Sequence, residues 1–311
     1  MKTTLAGAAE GISAAAALLA SGDIVALPTE TVYGLGADAL NARACAKIFE
    51  AKERPLSDPL IVHVPDPGWA SRLAVLPEAA IRLAGKFWPG PLTLVVPRQP
   101  CVPDLVTSGQ ETVALRMSAH PVFAEVARVF GHPIAAPSAN RFGRISPTSA
   151  AHVLAELDGR IPLIVDGGPC RHGIESTIVF VEGPNLHILR RGPITAEALS
   201  EFGMVTEGRA DIATPGGLKS HYAPRTPLEI LVGPLTPPPN TGLLAWSGSG
   251  EGFARTEHLS RTGDLCEAAA NLYGAMRRLD EAGLERIFAE AVPTTGIGAA
   301  IMERLEKAAA R

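Results

Sequence analysis

Short apolar runs alternate with helix-patterned segments through the first two thirds of this 311-residue chain, and that alternation restricts it to the α/β class. Residues 24–27, 60–64, 92–96, 113–115, 134–136, 163–165, 177–181 and 186–189 read as strands, most of them rich in β-branched side chains and bounded by Pro or Gly. Helical spacing occupies 42–51, 78–87, 122–130 and 149–157. Ser146-Pro147-Thr148 places hydroxyls and a proline at the start of the last of these, as a cap. The turn Glu182-Gly183-Pro184-Asn185 makes its flanking strands antiparallel. The expected sheet is therefore twisted and mixed, not the parallel sheet of a doubly wound fold.

From 203 to 227 the pattern loosens. Gly208, Thr214-Pro215-Gly216-Gly217 and Ala223-Pro224-Arg225-Thr226-Pro227 are turn and linker chemistry. The chain accordingly divides into a main α/β domain over 1–205, a linker over 206–227 and a small Rossmann-like α/β domain over 228–311. In the last, 228–232, 243–246 and 286–291 read as strands. Leu265, Ala268, Leu272, Met276 and Leu279 line one face of a helix of about five turns, and a second helix runs from Gly298 to the end.

Hydrophobic residues make up 46% and charged residues 19%, proportions of a globular chain and not a disordered one. With 28 basic and 32 acidic residues the net charge is −4, which gives no support to a main task of coating nucleic acid or an anionic membrane. Cys45, Cys101, Cys170 and Cys266 form no close pair, so they read as reduced, mostly buried thiols of a reducing cytoplasm. The alanine-rich N-terminus is too weakly apolar for a signal peptide, is interrupted by Glu10, and reads as a surface helix. No apolar run reaches the ~20 residues needed to span a bilayer.

The most informative motif is Pro28-Thr29-Glu30-Thr31-Val32-Tyr33-Gly34-Leu35-Gly36, which begins where the strand 24–27 ends. The edge beyond a strand end is a usual ligand site in open α/β sheets. Thr29 and Thr31 offer hydroxyls; Gly34 and Gly36 let a ligand approach the backbone. Lys52 and Arg54 follow at the C-terminal end of a helix, where cations also serve simply as dipole partners. Pro55 stops that helix and leads to another strand end, so both cations are expected over the threonine edge. Hydroxyls with two cations suit a polyphosphate.

Gly34-Leu35-Gly36-Ala37-Asp38-Ala39 matches a dinucleotide fingerprint, but it does not follow its strand directly and lacks the ribose-binding acid about 20 residues on. The chain has no Walker lysine loop and no Gly-x-Ser-x-Gly elbow. Its eight histidines form no metal-binding pair, so no protein metal site is expected. Arg116, the segment from Ser138 through Asn140 to Ser146, Glu175-Ser176 and Arg190 all stand at strand ends. Singly each is a turn or a cap; their shared placement argues that they converge. His63 interrupts an apolar strand, and on spacing alone it is a satisfied core histidine first and a substrate contact second.

Five ordered motifs resemble the YrdC-type threonylcarbamoyl-AMP synthases. They are Pro28 through Gly36; Lys52-x-Arg54-Pro55 with Pro59-Leu60-Ile61-Val62-His63-Val64; Pro137-Ser138-Ala139-Asn140; Glu175-Ser176-Thr177-Ile178 with Ile188-Leu189-Arg190; and Pro215-Gly216-Gly217-Leu218-Lys219-Ser220-His221-Tyr222-Ala223-Pro224. The last is similar to the linker between the YrdC-like catalytic domain and the extra C-terminal domain of the long form, so the resemblance covers nearly the whole chain.

The resemblance implies a cytoplasmic nucleotidyltransferase that makes threonylcarbamoyl-adenylate and pyrophosphate from L-threonine, bicarbonate and ATP. Mg²⁺ would accompany the ATP. Other proteins would then transfer the threonylcarbamoyl group to a tRNA adenosine beside the anticodon, with direct tRNA binding by this chain weak or absent. Matching positions assign Thr31, His63, Arg116, Ala136 and Ser176 to threonine. They assign Lys52 and Arg54 to catalysis and, with Asp58, Thr112, Ser138, Asn140, Ser146, Arg190 and Tyr222, to ATP. Arg116 suits the amino-acid carboxylate because its planar fork can bind both oxygens. Asp58 stands where family members often have Asn or His, and Gly217 where a Met is expected.

Two other readings compete. A carbamoyltransferase of hydrogenase maturation uses a YrdC-like domain, but it also needs an acylphosphatase unit and zinc fingers, for which this chain has too few cysteines. An RNA-binding module would use a concave basic face, against which the net charge argues.

Overall fold

The computed structural model describes residues 2–208, 212–217 and 220–310. Among them, eleven strands form one mixed sheet: β1 (Thr4–Gly7), β2 (Val25–Leu27), β3 (Gly34–Asp38), β4 (Ile61–His63), β5 (Leu92–Pro97), β6 (Thr112–Arg116), β7 (Ile134–Ala135), β8 (Leu163–Asp166), β9 (Thr177–Glu182), β10 (Asn185–Arg190) and β11 (Met204–Glu207). Their order is β1-β8-β2-β3-β7-β4-β6-β5-β9-β10-β11. Helices α1 (Ala8–Ala20), α2 (Ala42–Lys52), α3 (Pro67–Leu73), α4 (Glu78–Phe87), α5 (Asp104–Thr107), α6 (Pro121–Phe130), α7 (Ala150–Leu157) and α8 (Ala196–Ser200) connect these strands. A second sheet of β12 (Leu228–Ile230), β13 (Thr241–Ala245), β14 (Arg255–His258) and β15 (Arg286–Ala289) is parallel throughout, in the order β12-β15-β13-β14, with α9 (Leu265–Asp280) and α10 (Gly298–Ala309). The mixed α/β main sheet and the small Rossmann-like unit are as the sequence predicts.

Register brings particular residues to one margin of the main sheet. β4 and β6 run parallel with His63 opposite Arg116. β9 begins opposite Leu92 of β5, and β10 returns antiparallel to place Arg190 opposite Ile178. α2 is capped by Asn41, whose side chain accepts from the Arg43 and Ala44 amides, and it ends where Glu53 turns left-handed at φ 54°. Its buried face of Ala44, Cys45, Ile48 and Phe49 anchors it in the main core and carries Lys52 inside. A separate apolar cluster joins Val32, Ile145, Ile174 and Tyr222 to Leu272, Tyr273, Met276 and Leu305. The second unit is therefore packed directly behind the loops of the sheet margin.

Several local expectations change. Gly34–Asp38 is a strand, antiparallel to both β2 and β7, and only Gly34 at its start borders the candidate site. A Cβ on Gly36 would lie 3.0 Å from Ile134 Cγ2, so this glycine serves strand packing. The cap of α7 is Ser149, whose hydroxyl accepts from the His152 amide, while Thr148 meets the His152 ring. The N-terminal helix is preceded by β1, which pairs with β8. β11 and β14 were hidden because each is four residues long, largely solvent-facing and without an apolar run of strand length. α9 has 16 residues, a little over four turns. Cys45 and Cys170 are buried, but Cys101 and Cys266 are exposed. Leu218 and Lys219 of the linker lie outside the described residues, as do 209–211 and Arg311. No described helix is long and apolar enough to cross a membrane.

Close docking of the two units generates a stability test. Gly173 has φ +70°, and a Cβ there would meet Ala269 O and Ala270 Cα of α9, each at 2.5 Å. Gly173→Ala should therefore lose about 2–4 kcal/mol of unfolding free energy, from left-handed strain plus a backbone collision. Urea unfolding measures it; a loss below about 0.5 kcal/mol would mean that α9 yields freely at this contact.

Candidate active site

Pro28 ends β2, and Thr29 shapes the turn that follows. Its hydroxyl donates to Val32 O at 2.6 Å and accepts from the amides of Thr31 and Val32. Thr29 is thus a turn-former. The turn buries Glu30 and Thr31, which meet Arg116 at the end of β6. Arg116 Nη2 donates to Glu30 Oε1 at 2.7 Å and to Thr31 Oγ1 at 3.0 Å, and Nε reaches Gly90 O at 3.4 Å. These contacts commit three of the five guanidinium N–H groups and leave both hydrogens of Nη1. In this arrangement Arg116 offers an incoming carboxylate one nitrogen and not the two-nitrogen fork.

Glu30 is buried, which by itself raises its pKa, but the Arg116 charge and hydrogen bonds from Ser118 and Arg116 override burial and hold it at about 2. His63, beside Arg116 in register, is 2% exposed and packs against Phe123 with the rings tilted by 39° at a centroid distance of 4.6 Å. Burial, then the Arg116 charge, lowers its pKa to about 3, so the ring is neutral at ordinary pH. Among the described residues its Nδ1 has no hydrogen-bond partner, which leaves it available to a ligand. Ser176 Oγ lies 2.7 Å from Thr93 Oγ1 and accepts from Arg190 Nη2 at 3.0 Å.

The other half of the site is cationic. Arg54 pairs with Asp58 at 3.0 Å and donates from Nε to Asp58 O and from Nη2 to Pro59 O. Lys52 does not project over the threonine edge as its position in α2 predicts. Its ammonium points inward and donates to the carbonyls of Ser138 and Asn140. Burial, reinforced by the neighbouring Arg54, pushes Lys52 well below the ordinary lysine value. Arg190 donates to Ser176 O and to Pro215 O of the linker. Burial raises Asp58, against the pull of Arg54, Lys52 and Arg190 together, so all three cations act on this single carboxyl. Three buried cations around one carboxylate form a site short of negative charge.

These groups surround a small, partly open chamber of about 40 Å³. Thr31, Arg54, His63, Arg116, Ala136, Ser138 and Arg190 line it, and Pro215, Gly216, His221 and Tyr222 of the linker also contribute. Tyr222 has φ 62°, rare for a bulky residue, and its ring lies between His221 and Tyr273. Asp58 instead borders an adjoining cleft of about 760 Å³, with Ser57, Thr214 and Gly217. Lys52, Asn140, Ser146 and Ser176 are buried outside the set that lines the chamber. Asn140 donates to Arg141 O and Arg144 O and so holds its own loop. Thr112 sits at the opposite end of β6 from Arg116, about 13 Å away at strand rise. Among the described residues, no group of three or more His, Cys, Asp or Glu side chains is placed to hold a metal ion.

Sequence reasoning gave no role to Glu30 and His221, though both lie inside motifs it quoted, and it placed Glu175 among the converging strand ends without naming its charge as important. Glu30 between two threonines was the available signal: a carboxylate beside a buried strand end needs a cation.

Comparison with known proteins settles the family. Residues 17–192 match the family profile described as telomere recombination, and residues 194–310 match that described as the threonylcarbamoyl-AMP synthase C-terminal domain. The threonylcarbamoyl-AMP synthase of Bacillus subtilis is 44% identical, covering 96% of this chain and 92% of that protein. That of Pyrococcus abyssi is 39% identical, over 96% and 93%. The chain belongs to the threonylcarbamoyl-AMP synthase family, in its long form. The crystal structure of P. abyssi Sua5 complexed with L-threonine superposes with a TM-score of 0.89 at 36% identity, covering 99% of this chain and 98% of that one. A nucleotide-bound HypF shares only the fold, at 18% identity, TM-score 0.53 and 30% of its length.

The Glu30 pair sets a pH window. A carboxyl held at about 2 when folded and near 4.5 when unfolded adds stability above pH 4.5 that disappears as pH falls toward 2. The contribution is at most roughly 3 kcal/mol. Unfolding free energy should drop between about pH 5 and pH 3, and Glu30→Gln should flatten part of that slope. Equal slopes in the two proteins would show that the pair does not hold Glu30 ionised.

Proposed function

We propose that the protein condenses L-threonine, bicarbonate and ATP to L-threonylcarbamoyl-adenylate with release of pyrophosphate. The observation that carries this reading is that neutral His63, with Arg116 and Thr31, lines the same chamber as the buried cations Arg54 and Arg190. The threonine bound to the P. abyssi relative supports the first half as an amino-acid site. In it, Thr31, His63, Arg116, Ala136 and Ser176 hold threonine, with Arg116 Nη1 as the nitrogen left for its carboxylate.

The amine of threonine takes up bicarbonate as a carbamate with loss of water. A carbamate oxygen then attacks the α-phosphorus, and its P–O bond forms as the bond to pyrophosphate breaks. An anion here approaches a polyanion, so positioning and charge compensation are the main tasks, and no covalent nucleophile is required. Lys52 and Arg54 are the catalytic cations. Arg190, Thr112, Ser138, Asn140, Ser146, Asp58 and Tyr222 complete the nucleotide half.

Mg²⁺ entering with ATP fits the donors present, because Asp58 is a hard oxygen ligand beside the cations and this metal needs only one or two carboxylates besides phosphate. When bound, it would neutralise phosphate charge. The chamber alone is too small for ATP, and the adjoining cleft that Asp58 borders supplies the further room a nucleotide needs.

We place the enzyme in the cytoplasm, where free thiols persist and where separate transferase proteins pass the threonylcarbamoyl group to tRNA. A net charge of −4 favours little direct tRNA contact.

Purified protein should release pyrophosphate from ATP only when both threonine and bicarbonate are supplied. Release without threonine, or none with all three substrates, would refute the reading. Lys52→Ala should lower kcat by about 100-fold or more while the fold persists, as judged by circular dichroism. Wild-type turnover in that variant would remove Lys52 from the reaction.

A further inference from the structure

The C-terminal unit carries a buried cation against the back of the site. Arg304, on α10, is fully buried, and its Nε donates to Glu175 Oε2 at 2.8 Å. Nη2 donates to Arg191 O at 2.8 Å, and Nη1 lies 3.2 Å from Glu303 Oε1. Glu175 also accepts from the hydroxyl of Tyr273 on α9, at 2.9 and 3.1 Å. Both helices thus converge on one carboxylate, which itself lines the chamber.

Glu175 immediately precedes Ser176, the residue on which Arg190 rests. Burial disfavours the Glu175 carboxylate, but first the Arg304 charge and then the Arg190 charge keep it ionised. Glu175 therefore attracts Arg190. Among the described residues, however, no ion pair joins Arg190 to any carboxylate; Arg190 makes its hydrogen bonds to two carbonyls and the Ser176 hydroxyl. Glu175 is instead satisfied from the C-terminal side.

We propose that Arg304 is a positioning residue of the nucleotide half: by engaging Glu175 from behind, it keeps this carboxylate off Arg190 and leaves the Arg190 charge for phosphate. The physical logic is competition. A buried carboxylate stripped of its partner takes the nearest cation, because an uncompensated buried charge costs several kcal/mol. Without Arg304 that cation is Arg190, and a phosphate must then displace Glu175 to bind. The second unit thereby acts on the chemistry without touching substrate. This inference rests on the nucleotide reading above.

The test is calorimetric titration of the full chain with Mg·ATP in the absence of threonine, and separately with L-threonine alone. Arg304→Met should weaken Mg·ATP binding by about tenfold or more, and threonine binding by no more than about twofold. Arg304→Met combined with Glu175→Gln removes both charges, should fold at least as well as the single variant, and should restore Mg·ATP affinity to within about threefold of the original. Arg304 also lies over the Tyr222 ring, 5.1 Å from its centroid, and a role exercised through that ring would not be rescued by Glu175→Gln. A double variant that folds but binds Mg·ATP as poorly as the single one overturns the proposal, as does equal weakening for both ligands. Unchanged binding by Arg304→Met sinks this inference alone. Failure of the unsubstituted protein to bind Mg·ATP sinks the nucleotide reading and this inference with it.

Discussion

Taking a guanidinium or an ammonium out of water costs several kcal/mol unless carboxylates or aligned carbonyls replace its hydration. Five such groups, Lys52, Arg54, Arg116, Arg190 and Arg304, are each at most 7% exposed around one margin of the main sheet. Three buried carboxylates stand among them: Glu30 holds Arg116, Asp58 holds Arg54, and Glu175 holds Arg304. Among the described residues, Lys52 and Arg190 hydrogen-bond to carbonyls and a hydroxyl and form no direct ion pair with a carboxylate. The paired cations set the frame, and the two without a carboxylate define where an anion is needed.

That imbalance ties the parts of the chain together. The carbonyls that solvate Lys52 come from the loop after β7, which puts the 138–140 segment under the control of α2. One carbonyl at Arg190 is Pro215 O of the linker, so a phosphate that takes Arg190 competes with the contact that holds the linker down. The linker is also gripped from the other side, where Lys307 Nζ donates to Gly216 O and Lys307 O accepts from the His221 amide. Opening the chamber therefore means exchanging hydrogen bonds on both α10 and β10.

The sheet was legible because β4, β5, β6, β9 and β10 are apolar runs with clear ends. β3 was not, because Gly34-Leu35-Gly36 looks like a phosphate loop until its two antiparallel neighbours are known. For the site, position at strand ends grouped Arg116, Ser138, Glu175 and Arg190, which line one chamber, since the end of a strand is set by local sequence; His63 joins them from a strand in which it reads first as a core histidine. Direction was not legible. Whether Lys52 points outward to a ligand or inward to two carbonyls depends on the 138–140 loop, 86 or more residues away. The same holds for Glu175, whose partners Tyr273 and Arg304 are 98 and 129 residues distant. Long-range charge pairing leaves no periodic trace in a sequence.

The two departures from the family pattern also acquire physical meaning. A carboxylate at position 58 stands close to the cations that phosphates need, and unpaired it would repel them. It is paired instead: Arg54, four positions earlier in the chain, lies 3.0 Å away, and Lys52 and Arg190 act on the same carboxyl. Asp58 cancels one of three positive charges and leaves the other two, so the site stays attractive to a polyphosphate while the buried excess is smaller when it is empty. Gly217 is accommodated differently. Its amide donates to Thr214 O at 3.0 Å, closing a tight turn in which backbone alone does the folding. The linker reaches the chamber through Pro215, Gly216, His221 and Tyr222, and none of those contacts needs a side chain at 217.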